Sequence, residues 1–159
     1  MNRPTIEFQY VLPSPVGKLG LVVSEQSVRY LSYVGDQCKV KIPKNGMAYS
    51  VYQQLLEYFQ QKRKKFDLPL SPLGTDYQKR VWQRLLKISY GESLTYGDMA
   101  EHLDSGPRAI GNACRWNPIS IIVPCHRVVS KTDIGGYTGK VAGMTVERKI
   151  LLLKMEGGL

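Results

Sequence analysis

Between Phe66 and Gly74 the chain reads Phe-Asp-Leu-Pro-Leu-Ser-Pro-Leu-Gly. Two prolines and a glycine so close together break regular structure, because proline lacks an N–H and fixes its own φ. This stretch is the best domain boundary in the chain. It divides the sequence into residues 1–71 and 72–159, and no internal repeat links the two parts.

Before the break the pattern is mostly that of strands. Ile6, Phe8 and Tyr10 alternate with Thr5, Glu7 and Gln9, which predicts a half-buried strand over Thr5 to Val11. Leu19 to Ser24 reads as a second strand. After a turn at Glu25-Gln26-Ser27, Val28 to Val34 reads as a third, rich in β-branched and aromatic residues. Asp36 to Gly46 reads as loop. Tyr52, Leu55, Leu56 and Phe59 fall at helical spacing, so a helix is expected over Tyr49 to Gln61. Its end carries Lys62-Arg63-Lys64-Lys65, a solvated basic terminus that complements the helix dipole. The first region is therefore an antiparallel sheet with one helix.

After the break the signals are helical. Thr75-Asp76-Tyr77-Gln78 has capping-box spacing and predicts a helix to about Ile88, with Tyr77, Val81, Trp82 and Leu85 buried. Thr95-Tyr96-Gly97-Asp98 caps another, with Met99, Ala100 and Leu103 packed inward. Asp104-Ser105-Gly106 turns the chain, and Pro107 suits the start of a short helix over Arg108 to Arg115. Two short helices across a glycine-containing turn match a helix-turn-helix. Ala109, Gly111 and Ala113 are small, so the second helix can approach another surface closely. Thr145 caps a last helix with Val146, Ile150 and Leu153 as its apolar stripe, ending at Glu156-Gly157-Gly158. Glu156 opposes the helix dipole there and needs a compensating partner, such as a histidine.

Chemistry concentrates at Pro124-Cys125-His126-Arg127-Val128. The apolar run Ile121-Ile122-Val123 is expected to be strand-like, with Pro124 ending it and Cys125 presented at its tip. A thiol becomes a strong nucleophile as the thiolate, and a histidine backed by an acid is a common way to make one. Neighbours on an extended chain point to opposite faces, so direct proton transfer between Cys125 and His126 is not guaranteed, and a bridging water would solve that. Cys38, Cys114 and Cys125 are too few and too scattered for a disulfide framework, which argues for a reducing compartment. With only His102 and His126, and no Cys-x-x-Cys spacing, no metal site is expected. No apolar run reaches the ~20 residues of a membrane span. The formal charge of +9 suits a polyanionic partner, but it is spread out. Residues 1–71 hold ten Lys/Arg against five Asp/Glu, and residues 72–159 hold twelve against eight.

Taken together these motifs resemble the O6-alkylguanine-DNA alkyltransferases, from about Val51 to Gly157. The carriers include Tyr58-Phe59, Gly74-Thr75, Val81-Trp82, Ile88-Ser89-Tyr90-Gly91-Glu92, Thr95-Tyr96, Arg108-Ala109-Ile110-Gly111, Asn117-Pro118, Pro124-Cys125-His126-Arg127-Val128-Val129, Gly135-Gly136-Tyr137 and Glu156-Gly157. The resemblance implies an α/β (α+β) two-domain protein: a ribonuclease H-like three-stranded sheet with a helix, then a winged-helix-like helix-turn-helix domain. It implies irreversible transfer of an alkyl group from O6 of a flipped guanine in double-stranded DNA to Cys125, once per molecule, with no cofactor. His126 and Glu156 would activate the thiol, Asn117 would tie the DNA-binding helix to the active-site loop, and Tyr96 would donate a proton to the base. Arg108 would fill the vacated stack, Ala109 and Gly111 would lie close in the minor groove, and Arg115 would anchor the backbone. Backbone groups near Val128 and Thr138 would read the guanine edge, with Tyr137 lining the pocket. A cytoplasmic monomer is implied; clustering on DNA and action on O4-alkylthymine are left open.

The sequence departs from the family pattern at Ser120, where some members carry proline, at Trp116, in the longer segment Lys140 to Thr145 and in the short loop Ser130 to Asp133. The rival readings are an alkyltransferase-like damage sensor, a winged-helix regulator and a cysteine hydrolase. Such sensors lack the cysteine. A regulator needs base-reading side chains that Ala109, Gly111 and Ala113 do not offer, and a hydrolase needs an oxyanion hole.

Overall fold

The computed structural model describes residues 5–137 and 144–159, and the backbone separates into two compact units, Met1–Pro72 and Leu73–Leu159. In the first unit, strands β1 (Tyr10–Leu12), β2 (Leu19–Val23) and β3 (Val28–Tyr33) form an antiparallel sheet in sequence order. The expected alternation from Ile6 to Tyr10 holds in burial, but only Tyr10–Leu12 joins the ladder. The Phe8 ring lies over Gly20, where a Cβ would meet it at 2.5 Å, so β2 carries a glycine at that crossing.

Helix α1 (Gly46–Phe59) packs across this sheet. It starts three residues before the expected Tyr49, and its buried face is Ala48, Val51, Leu55 and Tyr58. The expected face included Leu56, which is 38% exposed. Two apolar stripes compete on this helix, and the one with Val51 and Tyr58 fits the sheet. The Lys62–Lys65 run is largely exposed, as a solvated helix end should be. Pro69–Ser71 is not free linker. It docks on the start of β3, with Val28 N–H donating to Pro69 O and Ser71 N–H to Val28 O, both at 2.9 Å.

The second unit opens with α2 (Asp76–Leu85), whose Thr75–Gln78 capping box forms as expected. The helix is shorter than the expected run to Ile88, which is buried in the turns beyond it. Trp82 is a core residue: its ring packs against Gly74 and its Nε1 donates to Ala113 O at 2.9 Å. Strand β4 (Leu94–Thr95) leads into α3 (Tyr96–His102), capped by Thr95 and Asp98. A tight turn, in which Asp104 takes φ 50°, leads to α4 (Pro107–Arg115). Helices α3 and α4 form the helix-turn-helix, with Met99, Ala100, Ile110 and Ala113 in the core.

The apolar run before the cysteine is not a strand. Residues 120–122 turn sharply, with Val123 N–H bonded to Ile119 O at 3.0 Å and Ile121 held at φ 73°. Cys125–Arg127 then forms one turn of 3₁₀ helix, and β5 (Val128–Val129) pairs in parallel with β4. Helix α5 (Met144–Met155) closes the unit. Thr145 lies inside it rather than capping it. Its buried face is Lys149, Leu152, Leu153 and Glu156, not the expected Val146–Ile150–Leu153 stripe. Two ionisable residues sit on that face, so an apolar template slides off it. The helix ends as expected, with Gly157 at φ 80° and Gly158 N–H bonded to Leu153 O.

Candidate active site

The β4–β5 pairing sets the geometry of the site. It pairs Val128, at the exit of the Cys125–Arg127 turn, with Leu94 and Val129 with Thr95, the residue before Tyr96 at the start of α3. The end of α5 approaches the same turn. Because Cys125–Arg127 is helical rather than extended, consecutive side chains fan round it and do not alternate. His126 and Arg127 both reach Glu156.

Glu156 is 5% exposed. Its Oε2 accepts from His126 Nε2 at 2.9 Å and from Arg127 Nη2 at 3.0 Å, and its Oε1 accepts from Arg127 Nε at 2.9 Å. Arg127 also donates through Nη1 to Ile88 O at 2.7 Å, which ties the turn after α2 to the same cluster. This forked guanidinium–carboxylate geometry is the strong form of a buried ion pair. The expected acid–histidine partnership is therefore present. The arginine is a third member that the sequence reading left without a role. Its position next to the histidine was the available signal.

A carboxylate only accepts, so its bond to His126 places the imidazole proton on Nε2 and leaves Nδ1 with a lone pair. Nδ1 is buried and has no protein partner among the described residues. Burial holds the His126 pKa below the usual imidazole value; the Glu156 contact opposes that, while Arg127 and Lys149 add to it. The ring is thus neutral near pH 7 and can act as a base.

Cys125 is 4% exposed and not in a disulfide. Its Sγ accepts from Asn117 Nδ2 at 3.3 Å. The same amide donates to Val123 O at 2.8 Å, and Asn117 Oδ1 accepts from Ile119 N–H at 3.0 Å. Asn117 directly follows Trp116, the residue capping the C-terminus of α4, so it links that helix to the turn that carries the thiol. Ser120 is buried in this turn.

Tyr96 lies between two glycines. Its ring is 3.9 Å from a Cβ built at Gly111 and 3.1 Å from one at Gly135. Its hydroxyl donates to Gly136 O at 3.5 Å, a weak bond. Burial raises the phenol pKa well above its ordinary value, and the thiols of Cys114 and Cys125 add to that. Tyr96 therefore stays protonated as a donor.

Tyr137 is buried, and Val128 is buried with its carbonyl engaged by Lys149 Nζ at 2.6 Å. Thr138 lies outside the described residues, as does most of the Lys140 to Thr145 segment. Arg108, Ala109 and Arg115 share the exposed face of α4, with Gly111 half-buried. Ala113 is not on that face: it is 1% exposed and packs inward against Trp82. Asn112 is exposed there instead, a residue that the small-residue pattern passed over. Among the described residues no group of three or more His, Cys, Asp or Glu could hold a metal ion. No described helix is long and apolar enough to cross a membrane.

Residues 9–72 match the model of the 6-O-methylguanine DNA methyltransferase ribonuclease-like domain, and residues 76–158 match the DNA-binding domain of the same proteins. A methylated-DNA–protein-cysteine methyltransferase of Methanosarcina acetivorans is 37% identical over 92% of this chain and 96% of its own length. The constitutive enzyme of that name from Bacillus subtilis is 48% identical over 65% of this chain and 62% of its own. Among solved structures, the Mycobacterium tuberculosis O6-methylguanine methyltransferase aligns with a TM-score of 0.79 at 35% identity, covering 92% of this chain and 90% of that one. The complex of Mycobacterium tuberculosis OGT with DNA aligns with the same TM-score and identity, over 92% and 91%.

Proposed function

The chain belongs to the 6-O-methylguanine DNA methyltransferase family, and from that premise we propose how its own residues carry out the repair reaction: Cys125 takes the alkyl group from O6 of a guanine in duplex DNA, once. The observation that carries this reading is the buried His126–Glu156 pair directly after Cys125, with His126 Nδ1 left as the base.

The steps balance without a cofactor. The thiol proton passes to His126 Nδ1 through a bridging water, and Glu156 stabilises the imidazolium that forms. The Cys125 thiolate, with Asn117 Nδ2 beside it, attacks the alkyl carbon. The S–C bond forms, the C–O6 bond breaks, and its electron pair stays with the guanine. The Tyr96 hydroxyl gives the base a proton, improving it as a leaving group, and is then reprotonated from the His126 side. Overall one proton leaves the thiol and one arrives on guanine. The thioether has no ready leaving group, so the protein acts once.

A stacked base hides the target atom, so the nucleotide must leave the duplex. The exposed face of α4 suits that task. Ala109 and Gly111 allow close approach to the minor groove, Arg108 at the start of the helix fills the vacated space, and Arg115 pairs with phosphate.

Intact-protein and peptide mass spectrometry after incubation with a duplex containing O6-methylguanine tests the reading. One added methyl per molecule on the Cys125 peptide, absent in Cys125→Ala, is expected. Repeated turnover or tight binding without mass gain overturns it. Arg108→Ala should slow transfer from duplex much more than transfer from the free base; equal losses reject its part in flipping.

A further inference from the structure

The chain has two tryptophans, and they differ in placement. Trp82 is 2% exposed and bonded to Ala113 O, whereas Trp116, at the C-cap of α4, is only half-buried. Successive helix residues turn by about 100°, so Arg108, Asn112, Arg115 and Trp116 fall within about 100° of one another. Ile110, Ala113 and Cys114, the buried residues of α4, fall on the opposite side. The backbone keeps this register to its end, since Trp116 N–H still bonds to Asn112 O and Ala113 O at 3.3 Å. The indole therefore stands on the exposed face that carries Arg108, Asn112 and Arg115.

Arg115 lies over the Trp116 ring, with its Cζ 5.7 Å from the ring centre, within cation–π range. Adjacent residues on a helix do not ordinarily face each other, so the guanidinium is folded back over the indole. The face ends in a flat aromatic surface with a cation on it. That pairing suits a nucleic acid, whose phosphates take the cation and whose bases take the ring.

We propose that Trp116 is a DNA-contact residue, which presses its indole into the minor groove against a base step away from the lesion. This rests on the reading above, with α4 in the minor groove and Arg108 at the extruded nucleotide. Eight residues at a rise of 1.5 Å separate Arg108 from Trp116 by about 12 Å, or about three to four base-pair steps. The contact is therefore independent of the lesion. It tolerates any sequence, because every base has a π-face. It also differs from the Arg115 contact in kind: it displaces no counterion, so its contribution does not fade with salt.

The test titrates the full chain with a labelled duplex. An undamaged duplex is used with the parent. A duplex holding O6-methylguanine is used with Cys125→Ala, so that the lesion survives the titration. Anisotropy reads binding, and acrylamide quenching of tryptophan emission reads the indole. Trp82 is out of the quencher's reach, so the quenchable emission of the free protein belongs to Trp116. On saturation with either duplex that emission should become protected, over the same range of DNA concentration as the anisotropy change. Trp116→Phe should lose the quenchable emission and keep its affinity within about twofold, since phenylalanine also packs against a base step. Trp116→Ala should bind about five- to tenfold more weakly, near the low end of what one stacked base contributes. Its slope of log affinity against log salt should match the parent's. An unchanged affinity in Trp116→Ala overturns the proposal. So does a slope lowered by about one, which would make the ring a rest for Arg115 and not a contact of its own. A parent that binds duplex with Trp116 still open to acrylamide overturns it too and leaves the alkyl-transfer reading standing. That measurement decides even if the alanine variant does not fold. A parent that binds no duplex removes both.

Discussion

His126 Nε2 and Glu156 Oε2 lie 2.9 Å apart with both side chains sealed from solvent, across thirty residues of sequence. The same carboxylate holds Arg127 through two further bonds. One acid therefore fixes the imidazole tautomer and neutralises a buried guanidinium. Glu156→Gln removes that charge and leaves Arg127 without an anion. Breaking a buried pair from one side costs about 3–5 kcal/mol. The expected outcome is a loss of that size in urea denaturation, with methyl transfer slowed by about two orders of magnitude or more as the base loses its support. A variant that keeps its stability but loses transfer would show that Arg127 finds another partner.

The depressed His126 pKa makes a second prediction, about stability. The folded ring resists protonation, while in the unfolded chain it titrates near its ordinary 6.5. Below that pH the unfolded state binds more protons, so stability falls as pH falls. The loss begins near pH 6.5 and continues down to the folded pKa, with a slope of up to about 1.4 kcal/mol per pH unit for one proton. Urea melts at pH 7.5 and 5.5 measure it. His126→Asn should flatten this part of the slope; the other histidine, His102, lies on the exposed side of α3.

Asn117 satisfies three groups in the turn before the thiol: Val123 O, Cys125 Sγ and Ile119 N–H. Asn117→Ala leaves the two backbone groups buried and unpaired, at about 1–3 kcal/mol each. The strained conformation at Ile121 depends on this turn, so the measured loss should lie in the upper part of that range. Asn117→Asp offers a stricter test of the thiolate. It replaces a donor at 3.3 Å from sulfur with an acceptor, so Cys125 labelling at pH 7 should fall at least as far as in the alanine variant. Faster labelling in the aspartate variant would contradict a thiolate held by the amide.

Much of this was legible in the sequence, for physical reasons that differ from element to element. The capping boxes at Thr75 and Thr95 are local, with donor and acceptor three residues apart, and both helices start where those residues say. Helix α4 begins at Pro107 and the last helix ends at Gly157 for the same kind of reason. What failed was inference from apolarity alone. The run Ile121-Ile122-Val123 looks like a strand but belongs to a buried turn, because Asn117 supplies side-chain bonds that a ladder would have supplied. Helix α5 buries Lys149 and Glu156, and Ala113 turns inward to give its carbonyl to Trp82. The last two depend on partners far away in sequence, which no window of neighbouring residues contains, whereas Asn117 is near its partners but gives no sign of which backbone groups it will bind. Cys125, His126 and Glu156 stood out because their chemistry is unusual at their positions. Arg127 and Lys149 did not, because a lone basic residue in a basic chain carries little signal.

Gly111 separates folding from DNA binding. It lies in the middle of α4, where glycine costs about 0.5–1 kcal/mol relative to alanine. A Cβ there meets only the Tyr96 ring, at 3.9 Å, an ordinary contact. Gly111→Ala should therefore stabilise the free protein by about that amount in urea denaturation. The same methyl stands on the half-exposed side of the helix, between Ala109 and the Arg115 end. If α4 lies in the narrow minor groove, a methyl there keeps the backbone from closing on the duplex, and affinity for DNA should drop. Arg115→Ala gives the electrostatic counterpart: one phosphate contact fewer should lower the slope of log affinity against log salt by about one. Fluorescence anisotropy with a labelled duplex measures both. A Gly111→Ala protein that is more stable and binds DNA as tightly as its parent would place the DNA on another face of the helix-turn-helix.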